Sequence, residues 1–179
     1  MTRLYTRTGD KGETFCLAAG GRVPKSSVLI ELVGALDEAA TALGAAWAFC
    51  EEVCDEEIRD FLEEAQRIIF NVGFSLSGKK TLKGDEVRRL EALSDKFMEG
   101  IELKGFVLPG STKESSMIHL ARVAVRRAER RFFSALDSGA LEKDDNTAYL
   151  GQVLNRLSDT LFAAALKVEA ERGKIRYVR

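Results

Sequence analysis

The run Ile118-His119-Leu120-Ala121-Arg122-Val123-Ala124-Val125-Arg126-Arg127-Ala128-Glu129-Arg130-Arg131-Phe132-Phe133 carries two stripes at once. Ile118, Ala121, Val125, Ala128 and Phe132 recur at spacings of three and four, so an α-helix would gather them on one face. One position round, His119, Arg122, Arg126, Glu129 and Phe133 repeat the spacing and border that face. The stretch therefore predicts an amphipathic helix whose polar seam lies where a neighbouring helix or subunit would pack. From 122 to 131 there are five arginines and one glutamate, a local charge of +4.

The same periodicity extends outward in both directions. Leu29, Leu32, Leu36, Ala40, Leu43 and Trp47 mark a helix over 26–50. Ile58, Phe61, Ala65, Ile68, Val72 and Leu76 mark one over 55–77. Val87, Leu90, Leu93 and Phe97 mark one over 85–99, and Leu150, Leu154, Leu157, Leu161 and Val168 one over 146–171. With the arginine helix at 112–136, this predicts an all-α fold, a five-helix bundle over 26–171 packed at small crossing angles. Ser111-Thr112-Lys113-Glu114 reads as a capping box opening the fourth helix, and Ser138-Gly139 as its end. Gly78-Lys79-Lys80 and Gly84 bound a loop after the second. Residues 1–25 stand apart as an aperiodic, glycine-containing loop, long for a connection without a function. No repeat or second domain is visible, so 1–179 is read as one domain.

Composition narrows the classes. The 179 residues have a formal net charge of −1, so the whole-molecule field does not advertise nucleic-acid or membrane binding and any cationic site must be local. No apolar run approaches the ~18 residues of a membrane span, and the polar N-terminus leads to the expectation of a cytoplasmic protein. Three cysteines without regular spacing argue against a disulfide framework and fit a reducing compartment. Cys50 and Cys54, four apart, could share a helix face, but two thiols and a lone His119 do not make a zinc site.

Chemistry is concentrated in two places. The basic seam could be a solvated face, with an Arg126–Glu129 pair of modest value. Against that, four positive charges have no partner on their own helix, and planar guanidinium groups in a row suit phosphate oxygens. The N-terminal Leu4-Tyr5-Thr6-Arg7-Thr8-Gly9-Asp10-Lys11-Gly12-Glu13-Thr14 offers hydroxyls and glycines whose successive N–H groups can form an anion nest. Asn155 and Asp159, just off the apolar stripe of the fifth helix, are either polar flanks or, for Asn155, an amide able to donate and accept at once. Asp37 either meets an arginine across an interface or faces water. There is no P-loop, no dinucleotide fingerprint and no identifiable triad. The residues alone reach an all-helical nucleotide or polyanion binder. A non-catalytic module binding nucleic acid through the arginines stays open at this point, as does a nucleotide carrier or sensor.

Six segments in order then resemble one family, the propanediol-utilisation type ATP:cob(I)alamin adenosyltransferases, which include the human mitochondrial enzyme. They are Tyr5–Gly12, Val23-Pro24-Lys25, Gly34-Ala35-Leu36-Asp37-Glu38, Phe106-Val107-Leu108-Pro109-Gly110, the His119–Arg131 helix, and Leu154-Asn155-Arg156-Leu157-Ser158-Asp159. The chain departs from the family pattern at Ser111, usually a second glycine, at Ala39-Ala40-Thr41, usually Leu-Asn-Ser, and in the apolar Cys16-Leu17-Ala18-Ala19.

The resemblance implies a homotrimer with active sites between subunits, transferring the 5′-deoxyadenosyl group of ATP to the cobalt of cob(I)alamin and releasing triphosphate. It implies that Thr6, Arg7, Thr8, Gly9, Thr14 and Lys25 wrap the phosphates, and that Arg126, Arg127, Glu129, Arg130 and Asn155 complete the ATP site. Arg126, Phe106 and Asn155 would be the catalytic set. Mg²⁺ would bridge phosphate oxygens. Asp37 would meet Arg122 of a neighbouring subunit. Phe106 would press on the lower face of the corrinoid and exclude the axial ligand, which eases reduction of cob(II)alamin. A cobalamin reductase and a B12-dependent acceptor enzyme are the further partners implied, with no nucleic acid and no membrane.

Overall fold

A computed structural model describes residues 5, 7–51 and 54–178. Five helices dominate: α1 (Val28–Cys50), α2 (Glu56–Ser75), α3 (Glu86–Phe97), α4 (Lys113–Asp137) and α5 (Asp145–Ala170). Helix α1 packs between α2 and α4, α5 lies against α4 and touches α2, and α3 covers the outer side of α5. The five apolar residues of the α4 stripe are all fully buried, as are the stripes of α2 and α5. Of the stripe residues in α1 and α3, only Trp47, Val87 and Leu93 stay partly exposed at the core margin. Burial of this kind stabilises by about 25 cal/mol per Å² of apolar surface, which is why a spacing of three and four decides the architecture.

Local chemistry sets the helix ends. Ser27 caps α1, its Oγ accepting from Ile30 N at 3.4 Å. The α4 cap lies one residue beyond the expected box. Thr112 Oγ1 accepts from Ser115 N at 3.0 Å, and Ser115 Oγ accepts from Thr112 N at 3.1 Å. A serine hydroxyl reaches back as a glutamate would, so Glu114 is released to meet Arg172 at 2.8 Å. Asp144 and Thr147 form the same reciprocal box at α5. Ser138 ends α4, followed by Gly139 in the left-handed region.

The α3 N-terminus is tied down by a buried acid. Glu86 accepts from Lys83 N (2.7 Å), Gly84 N (3.0 Å) and the Tyr149 hydroxyl (2.7 Å). Thr160 Oγ1 of α5 donates to Leu90 O of α3 at 3.0 Å.

Two short backbone pairings were not foreseen. Within residues 1–25, β1 (Glu13–Cys16) and β2 (Gly21–Pro24) pair antiparallel, Thr14 opposite Val23. Later, residues 106–108 meet 176–178 through a Val107–Tyr177 bridge. Leu108 N donates to Arg176 O and Val178 N to Phe106 O, each at 2.8 Å. The departure at Ala39-Ala40 falls in the core, where both residues are buried and the Gln66 amide donates to Ala40 O at 2.9 Å. Cys54 lies beyond the end of α1, and its N–H donates to Cys50 O at 3.1 Å.

Candidate functional site

The seam of α4 is half-submerged, as its position beside the core stripe requires. His119 is buried, Arg122 and Glu129 are half-buried, and Arg126 is exposed. Asn155 Nδ2 of α5 donates to Glu129 Oε1 at 3.0 Å, so Glu129 is oriented by the amide and not by Arg126. Arg156 in turn donates to Asn155 Oδ1 at 2.6 Å. Arg130 donates to Arg126 O at 3.2 Å, laying its guanidinium beside that residue. Arg126, Glu129, Arg130 and Asn155 thus form one group on the α4–α5 groove.

Arg127 points elsewhere. It pairs with Glu38 of α1, and Arg131 pairs with Glu31 of α1 at 3.1 Å. The unanswered charge is therefore smaller than α4 alone indicates, and it is concentrated on the α5 side. A residue-by-residue count along one helix could not see acids carried by another.

Arg122 lies over the Phe162 ring at 5.5 Å, with its Nε buried and unpaired. Burial, then the neighbouring Arg126, push its pKa down. Burial, followed by the charge of Arg122, likewise pushes the His119 imidazole down, although Glu169 opposes this.

The N-terminal element is organised around the hairpin. Arg22 donates to Thr8 O at 2.6 Å and Glu13 O at 3.2 Å. Gly12 N donates to Gly9 O at 3.2 Å, and Lys25 N to Gly12 O at 2.8 Å. A Cβ at Gly9 would stand 3.2 Å from Lys25 Nζ, so the ammonium lies against the Gly9 backbone. Arg7 holds a left-handed φ of 59°, with its guanidinium 5.5 Å from the Tyr5 ring. Such a conformation costs a non-glycine residue roughly 1–2 kcal/mol and tends to occur in ligand-gripping loops. Thr8, Gly9 and Lys25 are thereby brought together. Thr14 sits on the inner face of β1, beside a groove. Thr6 lies outside the described residues.

That groove, of about 590 Å³, runs between the hairpin, α1 and α2. Phe15, Leu17, Val33, Phe70 and Phe74 line it with exposed apolar surface, and Asp37 is the acid in it. Among the described residues Asp37 makes no ion pair. Asp37 and Arg122 thus stand on different sides of the bundle, and so do the hairpin and the Arg126–Asn155 group.

Phe106 is 86% exposed and takes no part in the core. With Leu103, Val107 and Phe162 it borders a second apolar hollow of about 370 Å³. Phe162 connects this hollow to Arg122 and His119. Sequence reasoning missed Phe162, Glu169 and Arg176. Each acts through a contact between segments distant in sequence, and no local pattern carries that information.

Among the described residues no group of three or more His, Cys, Asp and Glu side chains could hold a metal ion, and no helix is long and apolar enough to cross a membrane.

Comparison with known proteins bears directly on this arrangement. The chain is 38% identical over 178 residues to a corrinoid adenosyltransferase of Bacillus subtilis, covering 96% of this chain and 89% of that one. It is 34% identical over 174 residues to a corrinoid adenosyltransferase of Citrobacter freundii, covering 92% and 94%. Its fold matches a variant PduO-type ATP:corrinoid adenosyltransferase from Lactobacillus reuteri complexed with cobalamin and ATP. The TM-score there is 0.86, at 25% identity over 99% of both chains. A family model described as cobalamin adenosyltransferase matches residues 4–168. The chain belongs to the cobalamin adenosyltransferase family.

Proposed function

We infer that this chain transfers the 5′-deoxyadenosyl group of ATP to the cobalt of cob(I)alamin, giving adenosylcobalamin and triphosphate. Cobalt's electron pair attacks C5′, the Co–C bond forms as the C5′–O bond breaks, and the leaving pair departs on the triphosphate. Cob(I)alamin is already a strong nucleophile, so the protein's work is alignment and stabilisation of the leaving group. The observation that carries the site assignment is the Arg126–Glu129–Arg130–Asn155 group. Asn155 orients Glu129, and two guanidinium groups remain on the same groove for phosphate oxygens.

The phosphates would be cradled by Arg7, Thr8, Gly9 and Lys25 of one subunit, with Thr6 and Thr14 beside them, and by the arginine group of the next. What supports a shared site is the separation of the two halves in one chain, the hairpin on α1–α2 and the arginines on α4–α5. Arg127 is held by Glu38 and takes a supporting place. Mg²⁺ would arrive on the phosphates and neutralise charge on the leaving group.

Phe106 would face the corrinoid. An aromatic ring left 86% exposed beside an apolar hollow gains from covering a flat ligand. We read residues 1–179 as a single adenosyltransferase domain working in the cytoplasm, its Co(I) supplied by a reductase and its product passed to a B12-dependent enzyme. The three cysteines are free, as a reducing compartment would keep them.

The test is anaerobic incubation with ATP and chemically reduced cob(I)alamin. The Co(I) absorption should give way to that of adenosylcobalamin, with one triphosphate released per turnover. Binding of both substrates without that conversion would make the chain a carrier and refute the transfer reading.

A further inference from the structure

A side chain as exposed as Phe106 has little packing to hold it, so its placement depends on its backbone. That backbone is gripped from two directions. On the amide side, Glu169 Oε1 accepts from Gly110 N at 3.2 Å and from Ser111 N at 3.1 Å. Glu169 is 0% exposed, and His119 Nε2 stands 3.6 Å from the same oxygen. On the carbonyl side, Arg176 donates to Pro109 O at 3.3 Å and to Gly110 O at 3.2 Å. The Arg176 Nε donates to Ser111 Oγ at 3.2 Å.

Between these grips the chain has no slack. Gly110 takes φ +87°, and a Cβ there would stand 2.8 Å from Ser116 Oγ, so only glycine makes this turn. Ahead of the turn, the 106–108 segment is paired to 176–178. One stretch of chain, from the end of α5 to residue 178, thus supplies the buried acceptor, the guanidinium and the pairing segment.

We propose that Glu169 and Arg176 are positioning residues that set the Phe106 ring through the 109–111 turn, with the Ser111 hydroxyl as a third point of attachment. The inference rests on the reading that Phe106 meets the corrinoid. It gives the departure at Ser111 a role, since a glycine there would leave the Arg176 Nε without this acceptor.

Arg176 is exposed, so Arg176→Met removes the donors and keeps the aliphatic stem without opening the core. The experiment compares wild type, Arg176→Met, Arg176→Lys and Phe106→Ala. Two rates are taken, one from pre-reduced cob(I)alamin and one from cob(II)alamin with a one-electron reductant. The spectrum of cob(II)alamin bound with ATP reports the four-coordinate fraction, and hydrogen exchange is followed at Gly110 and Ser111.

Arg176→Met is expected to keep ATP affinity and to speed exchange at the turn. It should shift the ratio of the two rates about tenfold toward the Phe106→Ala value, on the scale of one or two lost hydrogen bonds. The four-coordinate signal should fall, and Arg176→Lys should recover part of both. If Phe106→Ala shifts the ratio and Arg176→Met does not, the inference is overturned while the reading of Phe106 stands. If Phe106→Ala leaves the ratio unchanged, both fall. Should Arg176→Met lower the melting temperature by more than a few degrees, Ser111→Gly replaces it. That variant must shift the ratio in the same direction by a smaller amount, and an unchanged ratio overturns the inference.

Discussion

Arg126 occupies a position that its neighbours do not share. Arg127 and Arg131 are answered by Glu38 and Glu31, Arg122 lies on Phe162, and Arg130 leans on the Arg126 carbonyl. Arg126 is exposed and, among the described residues, makes no ion pair. Arg126→Ala should therefore cost transfer activity and almost no stability. Charge-assisted hydrogen bonds contribute about 1.5–3 kcal/mol each, so a ten- to hundredfold drop in turnover with unchanged helicity is expected. Wild-type turnover in that variant would remove Arg126 from the site. Cysteine reactivity is decided by single residues too. The hydrogen bond between their side chains pushes the Cys50 thiol up and the Cys54 thiol down, and Cys54 is the less buried. Iodoacetamide should label Cys54 before Cys16 or Cys50, as peptide mass mapping would show. The buried stripe of α4 was legible residue by residue, because a period of 3.6 leaves few alternatives. The partners of its arginines were not, because Glu38 and Glu31 sit 89 and 100 positions away on α1.

At the scale of elements, five of the segments followed from periodicity to within a few residues, including the Ser138 end of α4. The hairpin did not. Its strands are four residues each, and only Thr14, Cys16 and Val23 turn inward, too few to make a pattern among glycines and charges. The pairing of 106–108 with 176–178 was hidden for another reason, since a single bridge between remote segments leaves no local mark. Anchoring of α3 by Glu86 yields a pH prediction. Burial pushes this carboxyl up, but the N–H groups of Lys83, Glu86 and Gly84 and the Tyr149 hydroxyl more than offset it, and the net pKa is lowered. A depressed acid contributes stability that is complete above its unfolded value, about 4.3, and is lost as pH falls through the folded value. Glu86→Gln should thus lower the melting temperature most near pH 7, with the gap to wild type closing below about pH 4. A gap of equal size at pH 7 and pH 3.5 would show that the charge of Glu86 does not anchor α3.

The whole molecule presents two unfinished surfaces. One is the apolar groove holding Asp37, with Phe15 61% exposed at its rim. The other is the α4–α5 groove with the half-buried Arg122, whose Nε is unpaired. Both are explained if copies of the chain meet in a closed ring, each giving its acid to the next one's arginine. A homotrimer is the expected assembly, and light scattering at micromolar concentration should report three times the chain mass. Asp37→Ala and Arg122→Ala should each weaken it. Removing one partner of a desolvated pair costs about 3 kcal/mol, roughly a hundredfold in association. Activity should fall with assembly, and an active monomer in either variant would show that the two halves of the site belong to one chain. From sequence, the family resemblance implied the ring. In three dimensions Asp37 lines the groove of the hairpin, α1 and α2, whereas Arg122 lies over Phe162 of α5, and neither position could be read from the sequence alone.

The short pairing of 106–108 with 176–178 also imposes an order on synthesis. A ribosome releases Phe106 long before Val178, so the nascent chain can pack α1, α2 and α4 while the Phe106 segment still lacks its partner. Closure of so long a loop is entropically costly until the helices between have docked. The aromatic wall would therefore be the last part of the bundle to mature. A chain ending just before residue 176 should carry a nearly complete core and an unfinished Phe106 turn.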